Sequence, residues 1–160
     1  MNPPIPVIQR VDAQGADAMA LLREAAIDAR ALYPELHRPD APWPTNPPTP
    51  PRGVYLVAYV SGQPVACGAL RPIDEITTEV RRMYVLKSAR RSGLARAVLA
   101  ALEREAAQLG FSTLRLETGQ RQQAAMALYA SQGFVRIPPF GEHVNDPFSV
   151  CFEKAVAPAA

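Results

Sequence analysis

The chain has 160 residues, 48% of them hydrophobic and 20% charged, a balance typical of one globular domain with its own core. Basic residues exceed acidic ones by 17 − 15 = 2, and this small excess argues against nucleic acid as the main partner. No segment reaches the ~18 apolar residues that a membrane span needs. The N terminus also lacks a charged stretch followed by an apolar one, so the sequence predicts a cytoplasmic protein with no membrane partner.

The first elements are a strand and a helix. Residues 7–11 predict a strand, and apolar residues recur at helical spacing from Ala18 to Leu32. Asp12 or Asp17 is the predicted N-cap of this helix, and Pro34 is its predicted end.

Residues 39–51 hold seven prolines and the single tryptophan, Trp43. This density excludes a regular helix or a central strand. Two interpretations remain open, a stiff linker and an ordered lid over a pocket, and the second gives the Trp43 side chain a place away from solvent.

The middle of the chain predicts a β-hairpin and then a strand, a loop and a long helix. Residues 54–60 and 65–71 form the hairpin, and residues 79–86 form the next strand. The helix covers residues 93–109, with Gly110 as its C-terminal cap.

The last third predicts a strand at 113–118, a helix at 122–131 and final strands at 135–137 and 148–155. Alternating strands and helices around a hairpin favour a single α/β (α+β) domain over residues 1–160, with helices on a mixed central β-sheet in three layers. The exposed final strands are compatible with a homodimer.

The segment from Val85 to Arg96 reads as a strand end, a short basic loop and the first turn of a helix. This geometry directs backbone N–H groups and the positive end of the helix dipole at one spot, which suits a diphosphate. Gly93 and Ala95 keep side chains away from that spot, while neighbouring arginines add charge. The loop is neither a Walker A sequence nor a Rossmann fingerprint.

Cys67 and Cys151, the only cysteines, lie in predicted strands and read as small buried hydrophobic residues. No Cys-x-x-Cys pair and no spacing of histidine, cysteine and aspartate indicates a metal site. The sequence therefore predicts no metal.

Four segments together carry a family resemblance. The loop Arg90-Arg91-Ser92-Gly93-Leu94-Ala95 matches the pattern [Gln/Arg]-x-x-Gly-x-[Gly/Ala], and Arg82–Val85, Leu114–Thr118 and Leu128–Phe134 match strands and a Leu-Tyr-x-x-x-Gly-Phe element in the same order. Over residues 5–155 the chain resembles the GNAT superfamily of N-acetyltransferases, which implies a GNAT-like fold.

The resemblance implies acetyl-CoA as donor and a primary amine as acceptor. The loop amides would bind the pyrophosphate, the strand before the loop would pair with the pantetheine arm, and the Val85 N–H would face the thioester oxygen. The implied cofactor-binding residues are Met83, Tyr84, Val85, Arg90, Arg91, Ser92, Gly93, Leu94, Ala95 and Arg96, with Gln122 at a position where many members carry asparagine.

Acyl transfer to an amine needs a group that removes a proton and a group that stabilises the leaving thiolate. Glu79 is the candidate base because its spacing before the loop resembles that in the histone-modifying branch; a solvated strand residue is the alternative, and Glu117 is the competing carboxylate. Tyr129 is the candidate acid, and a core aromatic residue is its alternative.

Several further residues are candidates for the acceptor side. Arg71, Arg81 and Arg82 are interpreted first as solvated side chains and second as a carboxylate site. By position in the chain the acceptor pocket would draw on Tyr33, Glu35, His37, His143, Asn145 and Asp146, with His143 interpreted as a loop residue.

Three functions remain in competition. The first is acetyl transfer to a small-molecule amine, which single-domain size and a lid favour. The second is acetyl transfer to a lysine or an N-terminal amine of a protein, and the third is a catalytically weak acyl-CoA-binding or sensing module. The presence of both Glu79 and Tyr129 favours an enzyme.

Overall fold

A mixed β-sheet of seven strands organises residues 4–159, the part of the chain that the computed structural model describes. The strands are β1 (Val7–Arg10), β2 (Val54–Val60), β3 (Gln63–Pro72), β4 (Thr77–Val85), β5 (Thr113–Gly119), β6 (Val135–Ile137) and β7 (Ser149–Ala155). The helices are α1 (Ala16–Leu32), α2 (Leu94–Gln108) and α3 (Gln123–Ser131), and short 3-10 helices cover Pro34–Leu36, Lys87–Ala89 and Gly141–His143. The predicted fold class is confirmed, and residues 1–3 and 160 of the predicted domain lie outside the described residues.

Sheet order is β1-β2-β3-β4-β5-β7-β6, and only β4 and β5 run parallel. Those two strands pair over just four residues each, Thr77–Val80 with 113–116. Beyond that point β4 follows β3 as far as Val85, while β5 follows β7 as far as Gly119. The sheet therefore divides, and a wedge-shaped gap opens between β4 and β5.

Alternation along the strands produces a core on each face of the sheet. On one face Leu70, Val80 and Leu116 pack with residues of α2 and with Tyr129 of α3. On the other face Tyr55 and Cys67 pack with α1. The three predicted layers are thus α2 and α3, the sheet, and α1.

Both cysteines are buried, as the sequence predicts. Burial raises the pKa of the Cys67 thiol to about 12, so this side chain is an uncharged core residue at neutral pH.

The predicted N-cap of α1 is wrong. Gly15 occupies that position and no side chain among the described residues caps the helix. Asp12 instead accepts a hydrogen bond from the Gln14 N–H at 2.9 Å, and Asp17 accepts one from the Tyr59 hydroxyl at 2.6 Å. Asp12 stabilises the preceding turn, and Asp17 ties α1 to β2.

Strand β4 contains a bulge that the sequence did not predict. Cys67 pairs with Tyr84 and Ala69 with Arg81, so two residues of β4, Arg82 and Met83, lie opposite one residue of β3. Arg82 has a φ of +61°, as the extra residue of a bulge requires. The bulge lets the side chains of Arg81 and Arg82 both reach the α1 face.

Among residues 4–159, no helix has the length and apolar character needed to cross a membrane.

Candidate active site

The wedge between β4 and β5 exposes the backbone of Val85. The Leu86 N–H donates to Val65 O at 2.9 Å, and Val85 lies opposite Ala66. In an antiparallel pair this bond makes Val85 and Ala66 a non-hydrogen-bonded pair, so the N–H and C=O of Val85 point away from β3. Because β5 has already diverged, the Val85 N–H faces the wedge, where an extended chain or an oxyanion could accept its hydrogen bond.

The loop between β4 and α2 has the conformation of an anion site. Arg91 and Gly93 have φ values of +63° and +81°, and Gly93 is the N-cap of α2. No side chain of the described residues caps this helix. A Cβ built on Gly93 would meet no protein atom within 4 Å, so the space before the helix N terminus is open. The first-turn N–H groups and the helix dipole therefore face a region wide enough for a phosphate group.

Arg90 stabilises this loop from behind. Its Nε donates to Val85 O at 3.0 Å and its Nη2 to Asp28 Oδ2 at 2.7 Å. Asp28, on α1, also accepts a hydrogen bond from the Tyr84 hydroxyl at 2.9 Å. Burial works to raise the pKa of Asp28, but the hydrogen bonds from Tyr84 and Arg90 outweigh it and lower that pKa. Asp28 could not be predicted from the sequence, because nothing local links a residue in the middle of α1 to the loop.

Glu79 lies at the centre of a cluster on the α1 face of the sheet. It is only 3% exposed, so the interpretation as a solvated strand residue is wrong. Its carboxylate accepts hydrogen bonds from Arg71 Nη2 at 3.1 Å and Arg81 Nη1 at 3.4 Å, and lies 3.0 Å from His143 Nε2. Two cations and an imidazole thus neutralise a buried carboxylate.

Glu142 joins the two arginines from the solvent side. Its Oε1 accepts from Arg71 at 3.1 Å and from Arg81 at 2.6 Å, and its side chain is 56% exposed. The hydrogen bonds from Arg81 and Arg71 lower the pKa of Glu142 to about 2. The Arg71 side chain is 45% exposed, as the first interpretation expects, and that of Arg81 is 25% exposed; each of them also joins a buried carboxylate to an exposed one.

His143 lies between two carboxylates. Its Nε2 donates to Glu79 because an ionised carboxylate only accepts hydrogen bonds. Its Nδ1 lies 3.7 Å from Glu117 Oε2, too far for a hydrogen bond. Ser149 Oγ donates to the same Glu117 oxygen, and the imidazole packs edge-on against Phe140 at 5.2 Å. In a neutral ring Nδ1 would be an acceptor, so His143 Nδ1 and Glu117 Oε2, together called the notch below, would suit a ligand with N–H donors.

Tyr129 is a core aromatic residue whose hydroxyl remains available. Its ring lies 5.9 Å from that of Phe134 and 6.0 Å from that of Phe152. Burial and then the charge of Glu117 raise the pKa of Tyr129 to about 12, so the phenol is neutral. Within residues 4–159 no group of the protein bonds the hydroxyl. The observed position of Tyr129 is thus compatible both with a core aromatic residue and with a candidate acid.

Gln122 has a role in the turn that joins β5 to α3. Its Oε1 accepts hydrogen bonds from Thr118 Oγ1 and from the Gly119 N–H, both at 2.8 Å. The side-chain oxygen is therefore committed to the protein, and only the amide NH2 could reach a ligand.

The proline-rich segment packs as a lid, not as a linker. Trp43 lies between the guanidinium groups of Arg23 and Arg30, each 3.7 Å from the ring centre. Asn46 is buried; it donates to Ala13 O at 2.7 Å and accepts from Arg82 Nε at 3.0 Å. These contacts fasten the segment to α1 and to the bulge of β4.

Beneath this lid lies a cavity of about 370 Å³. Its walls are mostly small or apolar side chains of α1 and the proline-rich segment, with Arg30, Arg82, Tyr55 and His37 as polar members. The Tyr55 hydroxyl is buried beside Asn46 and Cys67 and makes no hydrogen bond of good geometry among the described residues. A polar group of a ligand would satisfy it, since a buried hydroxyl without a partner is costly.

The remaining acceptor-side candidates divide into two groups. Tyr33 seals the far end of α1, where its hydroxyl accepts from the Arg121 N–H at 2.9 Å and its ring contacts Phe148. Glu35 forms an ion pair with Arg121. Asn145 and Asp146 are exposed on the loop after His143 and reach none of the groups that surround Glu79.

Glu79, Glu142 and His143 could each offer a ligand atom to a metal ion, within 4.8 Å of one another. Arg71 and Arg81 already pair with both carboxylates, so an ion would compete with two guanidinium groups for the same oxygens. The donor set therefore fits the arginines better than a cation.

The structure thus combines a sheet that divides between β4 and β5, an open helix N terminus in the loop that follows β4, and a cavity beneath residues 39–51. A family model for the acetyltransferase (GNAT) family matches residues 15–134, and the chain belongs to that family.

Two similar proteins have sequences close enough to align over much of the chain. An IAA acetyltransferase of Azospirillum brasilense is 44% identical over 101 residues, which span 62% of this chain and 66%, just under two thirds, of that protein. A solved structure of a candidate acyl-CoA N-acyltransferase from Klebsiella pneumoniae is 33% identical, covers 96% of this chain and 99% of its own, and has a TM-score of 0.79.

A second solved structure shares the fold at low sequence identity. A GNAT family acetyltransferase from Elizabethkingia anophelis, solved with acetyl-CoA bound, is 16% identical, with a TM-score of 0.66 over 94% of this chain and 97% of its own.

Proposed function

We propose that the protein transfers the acetyl group of acetyl-CoA to the primary amine of a small molecule. The observation that carries the proposal is that two sites lie near the β4–β5 wedge. One is the open loop before α2, which could bind an anion, and the other is the notch at His143 and Glu117, which could accept an amine. Family membership and the acetyl-CoA bound to a protein of the same fold support the choice of donor.

The donor side uses groups that are already in place. The N–H groups at the start of α2 would bind the diphosphate, the outward-facing backbone of Val85 would pair with the pantetheine arm, and the Val85 N–H would polarise the thioester carbonyl. Arg90 does not contact the phosphates in this scheme; it holds the loop through Val85 O and Asp28.

The acceptor side supplies the base. The amine donates hydrogen bonds to Glu117 and to His143 Nδ1, attacks the carbonyl carbon, and loses its proton to His143. The C–N bond forms, the C–S bond breaks, and the electron pair leaves with the thiolate. Glu79 carries the negative charge that stabilises the resulting imidazolium and fixes the tautomer of His143.

Tyr129 acts on the leaving group. A phenol with a pKa of about 12 is a weaker acid than a thiol, whose pKa is ~8.5, so Tyr129 stabilises the thiolate mainly by donating a hydrogen bond. The neutral state that burial imposes keeps this donor available.

The lid and the cavity favour a small acceptor over a protein. The cavity of about 370 Å³ has the size of a small-ligand pocket. A protein chain could enter this cavity only beneath residues 39–51, which Asn46 and Trp43 fasten to α1 and β4.

A thiol-release assay with acetyl-CoA and a panel of amines tests the proposal. The panel contains small aliphatic and aromatic amines, amino acids, a lysine peptide and peptides with free N termini, and mass spectrometry identifies each acetylated product. We expect turnover with at least one small amine and little with the peptides.

Two results would overturn the proposal. Preferential acetylation of a peptide would identify a protein acetyltransferase. Binding of acetyl-CoA in calorimetry with no acetylated product from any amine would identify a binding or sensing module.

A further inference from the structure

The arginine pair that holds Glu142 has the chemistry of a carboxylate-binding site. Arg71 and Arg81 extend from neighbouring strands β3 and β4, and their guanidinium groups converge on a single carboxylate oxygen, Oε1 of Glu142. On the side that faces the protein interior, both arginines form ion pairs with buried Glu79. Guanidinium groups fixed in this way recognise carboxylates by charge-assisted hydrogen bonds.

The present occupant of this pair can leave without disturbing the fold. Glu142 lies on a short 3-10 helix in a surface loop, and its side chain is 56% exposed, in contrast to the 4% of Glu79. Rotation of the Glu142 side chain would free the outer surfaces of Arg71 and Arg81 and leave His143 bonded to Glu79. The pair would then carry two positive charges against the one negative charge of Glu79.

The site is adjacent to the amine notch. The Glu142 oxygen lies 3.9 Å from His143 Nε2, and the notch begins at Nδ1 of the same ring. A molecule with a carboxylate on Arg71 and Arg81 would therefore have its amine on the side of His143 and Glu117. We propose that the acceptor is an amino carboxylic acid whose carboxylate displaces Glu142 from the arginine pair. This inference rests on the proposed function and deepens it.

The kinetic test compares matched acceptors and matched variants. Each acceptor pair is an amino acid and the amine that lacks its carboxylate, such as phenylalanine and 2-phenylethylamine. In the wild type we expect the amino acid to have a kcat/KM about tenfold higher or more, because its charge-assisted hydrogen bonds are lost in the amine.

Glu142→Gln should lower KM for the amino acid several-fold and leave KM for the amine unchanged, because it removes the competing carboxylate. Arg71→Gln and, as a milder change, Arg71→Lys should abolish the discrimination, mainly through KM. Glu103→Gln breaks a surface ion pair with Lys154 on the opposite side of the sheet and is the control.

A binding measurement separates this inference from the proposed function. Calorimetry of the amino acid and of its N-acetyl derivative, in the presence of CoA, needs no turnover. Tighter binding to Glu142→Gln than to wild type supports the inference even if no amine is acetylated. Acetylation of amines with equal kcat/KM for the two members of each pair, and no effect of Glu142→Gln on binding, overturns the inference and leaves the proposed function in place.

Discussion

The loop before α2 takes its conformation from one short stretch, residues 86–94, whereas the cluster around Glu79 draws on five separate parts of the chain. In the loop the left-handed residues Arg91 and Gly93 and the start of α2 follow each other directly. In the cluster Arg71, Glu79, Glu117, Glu142 and Ser149 come from β3, β4, β5, the loop before β7 and β7.

This difference separates two kinds of site. A loop defined mainly by local backbone geometry binds a phosphate group through its own N–H groups and depends on few distant contacts, here the bond from Arg90 to Asp28. A cluster assembled from several elements depends on their relative positions, and one side chain can alter its specificity. We therefore expect donor binding and acceptor chemistry to be separable by mutation, with the effects below in decreasing order.

Glu79→Gln should give the largest loss of turnover, because it affects the reaction of the acceptor amine and not the binding of CoA. Without the negative charge the imidazolium of His143 is not stabilised, so turnover should fall by about 10²–10⁴-fold and the acidic limb of the pH profile should move to lower pH. CoA affinity should stay unchanged. The measurement is the pH dependence of kcat with the best amine, together with calorimetry of CoA.

The comparison with Glu117→Gln decides the roles of the two carboxylates. We expect Glu117→Gln to raise KM for the amine, because the carboxylate binds the ammonium or amine group in the notch. An intact profile in Glu79→Gln beside a collapsed one in Glu117→Gln would transfer the base function to Glu117. Intact profiles in both would mean that the reaction depends on neither carboxylate and would remove Glu79 from the proposed mechanism.

Tyr129→Phe should reduce turnover by about 10²-fold, the cost of losing one strong hydrogen bond to a developing charge. The ring stays packed against Phe134 and Phe152, so thermal stability and CoA affinity should hardly change. Tyr59→Phe, which removes a hydroxyl bonded to Asp17, is the control. Wild-type turnover in Tyr129→Phe would leave Tyr129 with a core function only.

Gly93→Val should break the donor half, with a loss of CoA affinity of about tenfold or more, because a β-branched residue is strained by ~1–3 kcal/mol at positive φ. Its added methyl groups would also enter the space before α2. Gly62 offers a matched control: its φ is +79° against +81° for Gly93, and a Cβ at either position meets no atom within 4 Å. If calorimetry shows the same CoA affinity for Gly93→Val and Gly62→Val, the assignment of the loop is wrong.

The smallest expected effect is that of Glu142→Gln on the free energy of unfolding. Its pKa is lowered to about 2 in the folded protein, so the pairing with Arg81 and Arg71 stabilises the fold at neutral pH and is lost as the pH falls toward 2. Because Glu142 is more than half exposed, solvent screening limits the contribution to about 0–1 kcal/mol. Urea unfolding of wild type and Glu142→Gln should show this difference at pH 7 and none near pH 2. If the difference in unfolding free energy stayed constant from pH 7 to pH 2, it would not come from the ion pairs of Glu142 with the arginines.

Local sequence patterns were sufficient for most of the fold. Helix α2 was predicted over residues 93–109 and spans Leu94–Gln108, and Gly110 has the positive φ of a helix C-terminal cap. These elements were predictable because apolar periodicity and glycine positions act within a few residues. The bulge at Arg82 was not, since it depends on the pairing of β4 with β3.

The sequence by itself determined the strand–loop–helix unit around Gly93, the position of Glu79 before it and an irregular proline-rich segment, without deciding between a linker and a lid. Only the tertiary structure decided what surrounds Glu79. Register between β4, β5 and β7 and the course of residues 138–148 bring Arg71, Glu142 and His143 together around Glu79, although Arg71 and Glu142 lie 71 positions apart. Such contacts have no local signature, because burial of a charge selects partners by distance in space and not by spacing along the chain.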